Sequence, residues 1–161
     1  MSHCIFFQSP IGILKITVED NFITGLSLAP DNSTLQTKSS CKLLEKACEQ
    51  LDEYFCGKRK SFDLPLKLNG TAFQKQVWTQ LLKIPYAETR TYQDIAITIR
   101  NPRAYRAVGL ANNKNPILIL VPCHRVINKD RTLGGFVLGN DIKRKLLDLE
   151  KSHLKNCDIC K

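Results

Sequence analysis

The chain has 161 residues, of which 43% are hydrophobic and 24% charged, enough for one globular domain or two small ones with a real core. No apolar run approaches the roughly 18 residues of a membrane span, and the start M-S-H-C-I-F-F-Q lacks the basic region and apolar core of a signal peptide, so a cytoplasmic protein is expected, or a nuclear one in a eukaryote. Seven irregularly spaced cysteines without an export signal argue against a disulfide framework, and a net charge of +9 favours polyanionic partners such as nucleic acid.

Residues 4–28 predict a small antiparallel meander. β-Branched and aromatic residues alternate in part, with turn signals at Ser9-Pro10, Gly12 and Asp20-Asn21. Residues 29–40, rich in Ser, Thr, Asp and Asn, predict a loop. Cys41, Leu44, Cys48, Leu51 and Phe55 then recur at spacings of three or four, which predicts a helix with both cysteines packed as small hydrophobes and not as metal ligands. Gly57 stops it, and Lys58-Arg59-Lys60 reads as a solvated loop. An extended crossing over 64–68 ends at Asn69-Gly70, where the composition turns helical. The boundary is placed there, giving domains 1–68 and 69–152 with a tail at 153–161.

Thr71-Ala72-Phe73-Gln74 fits a capping box, followed by Phe73, Val77 and Leu81 on one helical face, with Trp78 packed. A second box, Thr91-Tyr92-Gln93-Asp94, starts a short helix to about Ile99. Asn101-Pro102 reads as an N-cap with proline at the first helical position. The helix that follows puts Ala104, Ala107, Val108 and Ala111 on a narrow face of small residues and Arg103, Arg106 and Leu110 on another. Such a pair of helices suits a DNA-binding helix-turn-helix. It equally suits a helical hairpin with a solvated basic face.

Residues 115–126 read N-P-I-L-I-L-V-P-C-H-R-V. Pro116 and Pro122 push the apolar run 117–121 toward buried, extended geometry that delivers Cys123 and His124 to its end. A thiol with a pKa of about 8.5 is a weak nucleophile near neutrality, and an adjacent imidazole is the usual remedy. Neighbours in an extended chain point to opposite sides, so this pairing needs a local turn that the sequence does not show. After a polar turn at 128–132, L-G-G-F-V-L-G allows tight backbone geometry next to a ligand. The last helix, from Asp141 to about Lys151, carries Ile142, Leu146 and Leu149 on its apolar face, with Lys143-Arg144-Lys145 beside it and Glu150 at its end. His153, Cys157 and Cys160 in the tail fall one ligand short of a closed zinc site, so a frayed terminus is expected.

The motifs P-C-H-R-V at 122–126, R-A-V-G-x-A at 106–111 leading to Asn115-Pro116, and T-Y-x-x-I-A at 91–96, with a weaker S-P-x-G at 9–12, resemble those of the O6-alkylguanine-DNA alkyltransferases, also called methylated-DNA–protein-cysteine methyltransferases. The resemblance covers about 71–151 throughout and the N-terminal half in pattern. It implies an α+β chain: a small α/β domain of ribonuclease H-like form, then an all-α, winged-helix-like domain with a helix-turn-helix. The implied activity is direct, single-turnover transfer of the alkyl group from O6-alkylguanine in double-stranded DNA, with O4-alkylthymine as a second candidate, to the protein's own cysteine. The implied protein is a monomer and needs no cofactor and no metal.

By the same resemblance Cys123 is the nucleophile, His124 its base, Glu150 the group that polarises the histidine through water, and Asn115 the brace of the turn. Tyr92 hydrogen-bonds the flipped guanine and crowds the backbone phosphate. Arg106 fills the stack in place of the extruded base, and Arg103 and Arg125 join the DNA contacts. The carbonyls of Cys123 and Val126 and the N–H of Val137 read the base. Two features depart from the family: Phe136-Val137 stands where many members have Tyr-Ser, and Glu19 and residues near Thr24 stand where some members ligate zinc. The competing readings are a non-catalytic relative that binds alkylated DNA, from which such relatives' loss of the nucleophile separates this chain, a Cys-His hydrolase with many turnovers, and a helix-turn-helix transcription regulator.

Overall fold

The computed structural model of the protein describes residues 2–35, 39–134 and 139–159, with the backbone alone for 155–159. Phe136, Val137 and Cys160 therefore lie outside the described residues, as does the side chain of Cys157. The chain forms two compact units, Met1–Leu68 with Pro116–Leu118, and Asn69–Asn115 with Ile119–Lys161.

In the first unit, β1 (Ser2–Ser9), β2 (Gly12–Glu19) and β3 (Phe22–Leu28) form an antiparallel sheet in that order. Asp20 and Asn21 both take positive φ, 49° and 66°, the paired left-handed conformation of a two-residue hairpin turn. The alternation buries Leu14, Ile16 and Val18 of the central strand. α1 (Lys42–Phe55) packs on β1 and β2 through Leu44, Ala47, Leu51, Tyr54 and Phe55. The predicted stripe is thus rotated: Cys41 and Cys48 are only half-buried, and Ala47, Gln50 and Tyr54 take the core side. Gln50 is tolerated there because its amide exchanges two hydrogen bonds with the Asp63 backbone, at 2.9 and 3.2 Å. The outer edge of β3 is covered. Ile23 exchanges backbone bonds with Pro65 and Lys67, and Leu26 with Pro116 and Leu118.

In the second unit, α2 (Ala72–Leu81) and α3 (Tyr92–Thr98) each start at a complete capping box, on Thr71 with Gln74 and on Thr91 with Asp94. Trp78 is buried and its indole N–H donates to the Ala111 carbonyl at 2.8 Å, a packing role as predicted. The start at Asn101 differs from the expectation. The Asn101 side chain caps nothing, and Pro102–Ala104 winds as a 3-10 turn before α4 (Tyr105–Asn113) begins. The buried face of α4 is Val108, Ala111 and Asn112, while Ala107 points to solvent. Two short strands, β4 (Arg90–Thr91) and β5 (Val126–Ile127), pair in parallel. α5 (Asn140–Ile159) runs past the predicted end near Lys151, so Glu150 lies within the helix and residues 153–159 continue it. Among the described residues no helix is long and apolar enough to cross a membrane.

Candidate active site

Residues 117–121 are buried but not continuously extended. Ile119 takes φ 70°, a left-handed conformation that strains a β-branched residue, and the chain turns there. Pro122 (φ −80°, ψ 65°) then centres an inverse γ-turn, closed by the Cys123 N–H on the Val121 carbonyl at 2.8 Å. A 3-10 turn over Cys123–Arg125 follows, with the Arg125 N–H on the Pro122 carbonyl at 3.0 Å. Two consecutive tight turns supply the bend that a straight strand lacks. Two amides, one in the last turn of α4 and one just beyond it, hold it: Asn112 Nδ2 donates to the Cys123 carbonyl at 3.2 Å, and Asn115 Nδ2 to the Val121 carbonyl at 2.8 Å. The Cys123 carbonyl also accepts the Val126 N–H. The carbonyl that was expected to read the base thus already has two donors. The Val126 side chain is buried.

Cys123, His124, Arg125, Lys143 and Glu150 form a buried cluster. His124 Nε2 meets Glu150 Oε2 at 2.5 Å. This direct contact replaces the water expected between them. His124 Nδ1 is buried and has no hydrogen-bond partner among the described residues. Arg125, expected against DNA, points inward. Its Nε lies 2.8 Å from Glu150 Oε1, its Nη2 3.1 Å from Oε2 and its Nη1 2.8 Å from the Ile84 carbonyl. Ala87, at φ 64°, adds its N–H to Glu150 Oε1 at 3.1 Å. Glu150 therefore accepts at least four donors, about the capacity of a carboxylate.

Burial pushes the Cys123 thiol up to about 11, against the opposing pull of the Asn115 hydrogen bond and the Lys143 charge, so it rests protonated. Burial likewise holds His124 below the usual imidazole value, aided by the charges of Arg125 and Lys143 and opposed by Glu150. Burial alone raises the Glu150 carboxyl, but its bonds and charge interactions with His124 and Arg125 prevail and bring it down to about 2. The resting arrangement is thiol, neutral imidazole and carboxylate.

Tyr92, Tyr105, Arg106, Gly109, Leu110, Asn113 and Asn128 line a cleft of about 460 Å³. Cys123 does not line it and is fully buried. Tyr92, half-buried, belongs to the cleft and also interacts electrostatically with Cys123. Gly134, at φ 70°, passes so close that a Cβ on it would sit 3.2 Å from the Tyr92 hydroxyl. Arg103 and Arg106 are exposed on the 3-10 turn and α4, with Leu110 68% exposed beside them.

Sequence reasoning missed Lys143 and Asn112. Lys143 stands in the basic run noted beside the apolar face of the last helix, yet it is fully buried, donates to the Leu133 carbonyl and lies 5.8 Å from the Tyr92 ring centroid. Its spacing of three and seven from Leu146 and Glu150 puts all three on one face, the signal that finds it. Asn112 lies four residues beyond Val108 on the buried side of α4, a similar signal.

A family model described as the DNA-binding domain of 6-O-methylguanine DNA methyltransferase matches residues 72–152, and one described as its ribonuclease-like domain matches 2–68. A methylated-DNA–protein-cysteine methyltransferase of Methanosarcina barkeri is 47% identical over 152 residues, 92% of this chain and 96% of that one. A constitutive one of Bacillus subtilis is 42% identical over 163 residues, covering 96% and 99% of the two chains. The crystal structure of a Mycobacterium tuberculosis relative in complex with DNA superposes with a TM-score of 0.85 at 44% identity, covering 94% of each chain.

Proposed function

Because the chain belongs to the 6-O-methylguanine DNA methyltransferase family, and so repairs DNA by direct transfer of an alkyl group to one of its own cysteines, we propose that Cys123 is the acceptor, His124 its base and O6-alkylguanine in double-stranded DNA its substrate. The single observation behind this assignment is the buried His124, held through Nε2 by an ionised Glu150 while Nδ1 keeps a free lone pair, one residue from a thiol that rests protonated. Such a thiol needs a base, and the next residue of the same 3-10 turn carries one.

The thiol proton passes to His124 Nδ1, and Glu150 stabilises the imidazolium that forms. Sulfur attacks the alkyl carbon as the carbon–O6 bond breaks, its electron pair moves to O6, and the imidazolium returns the proton to the departing guanine. The product is a thioether, so each chain acts once. Asn115 braces the turn through Val121. Tyr92, at the boundary of cleft and thiol, is the gate through which an extruded base approaches and the donor that meets it. Arg106, at the cleft's edge and 5.9 Å from the Tyr105 ring, fills the gap in the stack, which offsets part of the few kcal/mol that extrusion costs. Arg103 contacts phosphate, and the Val126 carbonyl with the Val137 N–H reads the base. The protein acts as a monomer in the cytoplasm, or the nucleus of a eukaryote, with O4-alkylthymine a second substrate.

Intact-mass measurement after exposure to an O6-methylguanine oligonucleotide tests this reading. One methyl group per chain at the plateau, absent in Cys123→Ser, is the expected result. Continued turnover, or label on another residue, overturns it.

A further inference from the structure

A carboxylate in hydrogen-bond contact with an imidazole, both out of water, favours the protonated ring, and a histidine that already carries its second proton accepts no other. The geometry around Glu150 removes that difficulty. Arg125 presents its planar fork to both carboxylate oxygens, and the fork is itself fixed by the Ile84 carbonyl and by the Tyr86 ring, 5.6 Å from the guanidinium carbon. Ala87, in a left-handed conformation, closes the remaining side of Oε1 with its N–H. Glu150 thus reaches His124 as a carboxylate whose charge is already balanced and whose plane is already set.

We propose that Arg125 is a positioning residue for alkyl transfer: by neutralising and orienting Glu150 it keeps His124 an uncharged imidazole, able to take the Cys123 proton. The proposal rests on the reading of His124 as the base. Other groups bear on the ring. Cys123 flanks it on the same turn, Lys143 and Glu150 face it from α5, Tyr92 faces the thiol from α3, and α2 packs on the turn with the apolar Val77, Trp78 and Leu81 as its buried side chains. Lys143 and burial act in the same direction as Arg125, so removing the arginine shifts the balance without inverting it.

The test is the pH dependence of single-turnover methyl transfer from an O6-methylguanine duplex by the full chain, with thermal unfolding as the check on folding. In the wild type the rate rises as His124 loses its proton. In His124→Gln that acid limb disappears. In Arg125→Met the limb moves to higher pH by about one unit, which lowers the rate about tenfold on its acid side. Arg125→Lys keeps the charge but not the fork, so the rate falls while the midpoint stays. An acid limb that persists in His124→Gln overturns the histidine reading and this proposal with it. A limb lost in His124→Gln but unmoved in Arg125→Met, with the rate reduced equally at every pH, overturns this proposal alone. Should Arg125→Met fail to fold, Arg125→Lys decides: an unmoved midpoint supports the role of charge, and a displaced one refutes it.

Discussion

At neutral pH the Cys123 sulfur carries its proton, pushed up by burial, and the groups around it divide the work of removing it. Arg106 stands apart from that chemistry. It lies on the exposed face of α4, and if it replaces the extruded nucleotide, it matters only when a stack must be opened. Arg106→Ala is therefore expected to slow repair of duplex DNA by at least about tenfold, the cost of a lost contact near 1.4 kcal/mol, while leaving the reaction with free O6-benzylguanine nearly unchanged. Paired rate measurements on the two substrates check this, and equal losses on both remove the arginine from its proposed place. The single residues most legible in the sequence were Cys123 and His124, because they directly follow an apolar run that Pro116 and Pro122 bracket. Arg125 was expected against DNA and Lys143 was noted only as part of a basic run, since nothing in a linear reading says that a charge will turn inward until its partner, here Glu150 or the Leu133 carbonyl, is in place.

The elements were readable where local chemistry fixes them. Both capping boxes are self-contained four-residue devices, and both formed as the sequence foretold. Thr91→Ala deletes the side chain that accepts the Asp94 N–H at 3.0 Å, and is expected to lower stability by about 1 kcal/mol, read as a fall in the urea midpoint with unchanged slope. The 3-10 entry to α4 was not readable, because Asn101-Pro102 fits an α-helical start as well as a tighter one. The same holds for the length of α5: its continuation past Lys151 follows no stripe of apolar residues. The γ-turn at Pro122 was invisible for a different reason. Proline fixes φ near the value that both an extended chain and that turn use, and the choice of ψ is made by Asn112 and Asn115, contributed from the last turn of α4 and just beyond it.

For the molecule as a whole, the buried cluster makes stability depend on pH. His124 and Glu150 both hold their protons less tightly folded than unfolded, so the unfolded chain binds more protons as the medium acidifies. The His124 contribution is complete above its ordinary value of 6.5 and declines below it; that of Glu150 is complete above 4.5 and lost as pH falls toward about 2, a change of roughly 3 kcal/mol. Urea midpoints are expected to fall steadily from pH 7 to pH 3, with a shallower decline in Glu150→Gln; parallel declines in the two proteins refute the account. The two asparagine amides stand at the far end of α4, Asn112 within its last turn and Asn115 two residues beyond it. They hold the Val121 and Cys123 carbonyls, one before and one after Pro122, while the first turn of the same rod bears Arg106, the side chain proposed above to fill the opened stack. If α4 is the element that seats on DNA, a tilt of that rod would pass through the two amides to the turn that carries the thiol, and gripping the target would adjust the aim of the sulfur.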